Sequence, residues 1–123
     1  MLKAFTLMLP ALLISLCISA QNKIAIEEAS KHIGETVMIC DKIYQGKFIE
    51  DSKTQPTFLK MGGVYPKHKI TILINFKDRK NFTDKPETYY VEKDVCITGK
   101  IVEFKGKPQI IISKPTEIQI GTE

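Results

Sequence analysis

The sequence predicts an all-β domain, a small closed barrel of five strands entered through a short helix. Two observations carry this. The stretch Val95-Cys-Ile-Thr-Gly-Lys-Ile-Val-Glu-Phe-Lys-Gly-Lys-Pro-Gln-Ile-Ile-Ile112 reads as two strands joined by the tight turn Lys105-Gly106-Lys107-Pro108. Val95, Ile97 and Ile101 alternate with polar or small residues, the period of a half-buried strand. The earlier stretch Gly34-Glu-Thr-Val-Met-Ile-Cys-Asp-Lys-Ile43 has the same shape, a glycine followed by an alternating run that ends in Lys-Ile.

Taken in order, Ile24 to Ile33 reads as a short amphipathic helix. Ile26, Ala29 and Ile33 lie on one side, Glu27, Glu28 and Lys31 on the other, and Gly34 caps the end. The first strand runs from Thr36 to Gln45, and Gly46 to Gln55 is a polar loop. The second strand is Thr57 to Met61. Gly62-Gly63 and Tyr65-Pro66 mark a turn or bulge. The third strand, Lys69 to Phe76, places Ile70, Ile72, Ile74 and Phe76 on one face and Thr71, Leu73, Asn75 and Lys77 on the other. Asp78 to Asp94 is polar, contains Pro86 and two tyrosines, and has room for one helical turn. The hairpin supplies strands four and five, the latter from Gln109 to Ser113. After Pro115, Ile118 and Ile120 are expected to pack near the N-terminal helix. Five strands in this order fit a five-stranded Greek-key OB-fold barrel. An SH3-like barrel is the runner-up, and a sandwich needs more strands than this length provides.

The length corresponds to a single domain. Residues 1–20 read as a signal peptide, with a positive start at Lys3, an apolar stretch from Leu7 to Ile18, and small residues Ser19-Ala20 before Gln21. The apolar stretch is too short to span a bilayer core of roughly 30 Å, so no transmembrane anchor is expected in the mature chain. Cys17 raises a lipoprotein signal as an alternative, against which stands the bulky Leu16 before it. The OB-fold domain then covers residues 21–123, exported to the periplasm or secreted.

The mature chain keeps Cys40 and Cys96. An oxidising compartment allows a disulfide bond between them. Strand parity puts Cys40 with Met38 and Cys96 with Thr98, each on the outward face. The sulfurs meet if the first and fourth strands are antiparallel neighbours, as they are in an OB-fold. The alternative is two independent small apolar side chains. Formal net charge is +4, and it is concentrated: Lys53 to Lys80 holds seven basic residues and one acid, Asp78. Such a segment favours a polyanionic partner, although lysine-rich surfaces also serve solubility alone.

Thr57-Phe-Leu-Lys-Met-Gly-Gly63, Tyr65-Pro66, Asp78-Arg79, Val95-Cys-Ile-Thr-Gly-Lys-Ile101 and Phe104-Lys-Gly-Lys-Pro-Gln-Ile110 resemble small exported bacterial proteins with a nucleic-acid-binding-type, anticodon-binding-like OB domain. The resemblance covers most of Ile24 to Ile120. It departs at Leu73-Ile-Asn-Phe76, where related domains often carry an aromatic such as tryptophan near the end of the third strand; this chain has no tryptophan.

OB-folds bind oligomers on the outer face of strands two and three, between the loops joining strands one to two and four to five. A single-stranded nucleic acid needs cations along its phosphates and flat side chains for its bases. Phe58 and Tyr65 are the stacking candidates. Lys60, Lys67, Lys69, Lys77 and Arg79 are the phosphate candidates, Asn75 is a polar neighbour, and Lys105 and Lys107 stand on the closing turn. Phe58 faces outward only if Leu59 and Met61 face inward. Catalysis has little support: Asp78 stands alone among lysines, His32 and His68 lie in different elements, and neither glycine cluster is a phosphate loop. Two histidines and two cysteines at these spacings match no zinc site, and no cofactor is expected. The leading expectation is a non-catalytic module for single-stranded nucleic acid or another anionic oligomer. The alternative is an envelope accessory module for a protein or glycan partner.

Overall fold

A computed structural model describes residues 22–121; the expected signal peptide and Cys17 lie outside them. A 3-10 helix, Ile26–Lys31, precedes strand β1, Thr36–Phe48. Then come β2, Thr57–Met61, and β3, Ile70–Ile74. Two four-residue helices follow, α1 at Phe76–Arg79 and α2 at Pro86–Tyr89. The chain continues through β4, Asp94–Phe104, and β5, Lys107–Ile111, to β6, Ile118–Ile120.

The sheet order is β1-β2-β3-β5-β4-β6, and β1 also pairs with β4, so five strands close into a ring with β6 appended. Closure depends on the length and bend of β1. Its first half, Thr36 to Lys42, runs antiparallel to β4, and its second half pairs with β2 from Ile43 to Phe48. The register shifts between Ile43 and Gln45, a bulge of the kind that bends a strand from one partner to the next. The expected loop from Gly46 is therefore strand as far as Phe48. The β3–β5 pairing is parallel and closes the other side.

The alternating residues behave as their period requires. Val37, Ile39, Ile43, Leu59, Met61, Ile70, Ile72, Ile74, Ile97, Ile101 and Ile110 fill the interior of the ring. Because Leu59 and Met61 point inward, Phe58 and Lys60 point outward. Cys40 stands directly opposite Cys96 in the β1–β4 ladder and is bonded to it, with the Cα atoms 4.0 Å apart.

Three expectations are corrected. Phe76 does not continue the inward row of β3: Asn75 caps α1, the chain turns, and Phe76 is left 53% exposed beside Phe48. The tail does not dock on the N-terminal helix. Val95 to Ile97 present a free edge, and Ile118–Ile120 pair with it as a sixth strand. The turn between β4 and β5 is shorter than the stretch Lys105 to Pro108. Only Lys105 and Gly106 are left unpaired, both with positive φ (51° and 77°), and Pro108 already pairs with Glu103. Two residues of this conformation match the twist of the flanking strands.

Candidate functional site

The outward residues of β1, β2, β3 and β5 make one continuous face. Register sets Gln45 beside Lys60 and Lys47 beside Phe58, then Lys60 beside Thr71, and Thr71 beside Gln109. Two loops rise around this face. The β2–β3 loop carries Tyr65 and is fixed by Gln45, whose side-chain oxygen accepts from the Tyr65 backbone N–H at 2.8 Å. The β4–β5 turn lies on the other side, and Lys107 beside it donates to the Pro66 carbonyl oxygen at 3.1 Å.

Two grooves result. One of about 410 Å³ is lined by Gln45, Lys47, Ile49, Phe58, Lys60 and Tyr65 among others. The second, of about 320 Å³, lies between Phe58, Lys60, Tyr65, His68, Thr71 and the Phe104–Gln109 hairpin. Both share Phe58, Lys60 and Tyr65, so they form a single cleft crossing the face. Its walls carry four lysines (Lys47, Lys60, Lys105, Lys107) and three aromatic rings (Phe58, Tyr65, Phe104), with no carboxylate among the described lining residues. Tyr65 and Phe104 are 68% and 57% exposed, with His68 stacked on the Tyr65 ring and the Lys105 ammonium 5.4 Å from the Phe104 centroid.

Lys60 is the centre. Its ammonium lies 5.2 Å from the Phe58 ring centroid and 5.8 Å from that of Tyr65, and 3.4 Å from the Thr71 hydroxyl. Among the described residues, no carboxylate pairs with it. Burial, and then the nearby charge of Lys107, holds its pKa below the ordinary lysine value. An ammonium so placed has lost part of its hydration without gaining a counter-charge, an arrangement that an anion would relieve.

The structure gathers Phe58, Lys60, Tyr65, Lys105 and Lys107 from the sequence-derived set and leaves the others outside the cleft. Lys67 is exposed in the β2–β3 loop and lines neither groove. Lys69 turns the other way, to the N-terminal helix, where its ammonium lies 2.6 Å from the Glu27 carboxylate. Asn75 and Lys77 belong to the start of α1. Arg79 has a structural setting. Its guanidinium donates to both oxygens of Glu87 at 2.6 and 2.8 Å and to the Thr57 hydroxyl at 2.8 Å. It also covers the Phe48 ring at 4.0 Å. The cleft adds Gln45, Lys47, His68, Thr71, Phe104 and Gln109. Thr71 was legible from its alternation with Ile70 and Ile72. His68 precedes β3 in an irregular loop, and no periodicity announces it.

Among the described residues, no three histidine, cysteine or acidic side chains gather as a metal site, and no helix is long and apolar enough to cross a membrane.

No protein-family model matches the sequence, and a comparison with curated proteins finds no match. Solved structures do resemble the fold. A putative aspartyl-tRNA synthetase from Leishmania major Friedlin matches at TM-score 0.52 and 13% identity, over 90% of this chain and 23% of the synthetase. The chain thus spans less than a quarter of that protein. The OBody AM1L10, solved bound to hen egg-white lysozyme, matches at TM-score 0.53 and 14% identity, over 84% of this chain and 96% of the OBody. At such identities the likeness is one of fold.

Proposed function

We propose that this ring is an exported OB-fold module that binds single-stranded nucleic acid or another anionic oligomer, without catalysis, in the cleft across β1, β2, β3 and β5. The observation that carries the reading is the lining itself: four lysines and three aromatic rings on one concave face, with no carboxylate among its described residues. Lysines along the cleft suit a row of phosphates, and Tyr65, Phe58 and Phe104 suit flat bases. The likeness to a synthetase named for tRNA supports the same reading. Lys60, Lys105, Lys107 and Lys47 take the phosphate role here. Lys69 and Arg79 are assigned to the ion pairs they already make.

A second reading, an envelope accessory module for a protein or glycan partner, draws on the Cys40–Cys96 disulfide. Such bonds belong to oxidising compartments, where free nucleic acid is scarcer. The OBody, bound to a protein, supports it as well.

Fluorescence anisotropy with single-stranded DNA and RNA oligomers, at low and near-physiological salt, separates the two. With four lysines engaged, log affinity should fall against log salt with a slope of about −3. Absence of binding even at low salt would overturn the nucleic-acid reading and turn the search to envelope proteins and glycans.

A further inference from the structure

His68 is 8% exposed, yet it lines the cleft. Its Nε2 lies 3.0 Å from the Thr71 hydroxyl oxygen, and its Nδ1 is buried without a partner. The same hydroxyl is 3.4 Å from the Lys60 ammonium, so lysine, threonine and histidine form one short chain. The Tyr65 ring stacks on the imidazole with centroids 5.9 Å apart and planes 23° apart. The charged groups that face His68 are Lys60 from β2 and Lys107 from β5, with Lys105 further along the same groove wall. No carboxylate is among the described residues lining that groove.

We infer that His68 makes binding in this cleft proton-linked: an anionic group seated against Lys60 and Lys107 enters together with a proton taken up by the imidazole. The inference rests on the anion-binding reading above and adds to it a titrating member, with a phosphodiester single strand as the ligand class. In the free protein, burial and then the charges of Lys60 and Lys107 hold His68 below the ordinary histidine pKa, so the ring is neutral at neutral pH. A phosphodiester between the two ammonium groups cancels the charges that opposed protonation. Starting from the Nδ1–H tautomer, whose bare Nε2 accepts from the Thr71 hydroxyl, the ring takes up its proton from solvent at Nε2. Nε2 donates to the Thr71 oxygen, and the Thr71 hydroxyl hydrogen is left to point into the cleft towards the ligand. Because the bound state holds the extra proton more tightly, affinity must rise as pH falls.

The test uses fluorescent oligothymidylate, which does not titrate between pH 5.5 and pH 8, at constant ionic strength. Binding should tighten about fivefold to tenfold from pH 8 to pH 5.5, the effect of one added charge a few ångströms from a phosphate in a wet cleft. His68→Gln should flatten this dependence, and His32→Gln, at the other histidine, should leave it intact. NMR titration of the wild-type imidazole adds a reading that needs no variant. The His68 pKa should rise when oligothymidylate saturates the protein. Binding that is equal at both pH values, a dependence that survives His68→Gln, or an unmoved His68 titration would each overturn the inference while leaving the anion-binding reading in place. Failure to bind at either pH would overturn both.

Discussion

Lys60 and Lys77 were equal candidates as sequence and are unequal in space. Lys60 sits between two aromatic rings with no acid beside it, whereas Lys77 is exposed on α1, away from the cleft. Lys60→Glu should weaken oligonucleotide binding by at least about tenfold, the effect of reversing a central charge. Lys77→Glu should change it less than about twofold in the same anisotropy assay. Arg79 behaves oppositely. Its side chain and that of Glu87 are only 17% and 14% exposed, so Arg79→Ala leaves a carboxylate and the Thr57 hydroxyl poorly satisfied. Urea denaturation should show a loss of about 2–3 kcal/mol at unchanged m value, with binding intact once the protein is folded. His68 also sets a pH trend in the free protein. Its folded pKa is depressed below 6.5, so the unfolded chain binds the proton more readily. That contribution is present above the unfolded value and is lost as pH falls through it and down to the folded one. His68→Gln should therefore flatten the stability profile between about pH 7 and pH 5.

The elements that the sequence made legible are those whose side chains alternate without interruption. Ile70, Ile72 and Ile74 declare β3, and the same period places Phe58 and Lys60 outward by placing Leu59 and Met61 inward. Parity also brought Cys40 to Cys96, because an antiparallel ladder sets same-face residues directly across from each other. Legibility ends where the decisive partner is remote. Arg79 reads as a phosphate candidate until α2 delivers Glu87, and Lys69 does so until the N-terminal helix delivers Glu27. Phe76 keeps the period of β3, yet the turn at Asn75 overrides it. Three residues are too few to announce β6, which exists because β4 offers an edge. Gly46 carries a related signal: a Cβ there would run into the backbone of Glu87, so β1 and α2 pack main chain to main chain. Gly46→Ala should push α2 outward, at a loss of about 1–3 kcal/mol measurable by thermal denaturation.

At the scale of the molecule, the disulfide fastens the β1–β4 side of the ring and ties residues 56 apart in sequence. The double variant Cys40→Ala with Cys96→Ala should lose about 2–4 kcal/mol by chemical denaturation. The cleft, which takes only the second half of β1, beyond the disulfide, together with β2, β3 and β5, should keep its affinity wherever that variant is folded. The opposite side of the ring is held more lightly. There, only Thr71 to Leu73 meet Gln109 to Ile111, and Thr71 and Gln109 are also part of the cleft wall. A strand of ligand laid across the face, as proposed, would therefore bridge the least-secured junction of the ring, as a clasp bridges the gap in a bracelet. The backbone amides of β3 and β5 should then be the ones whose hydrogen–deuterium exchange slows most when the cleft is filled.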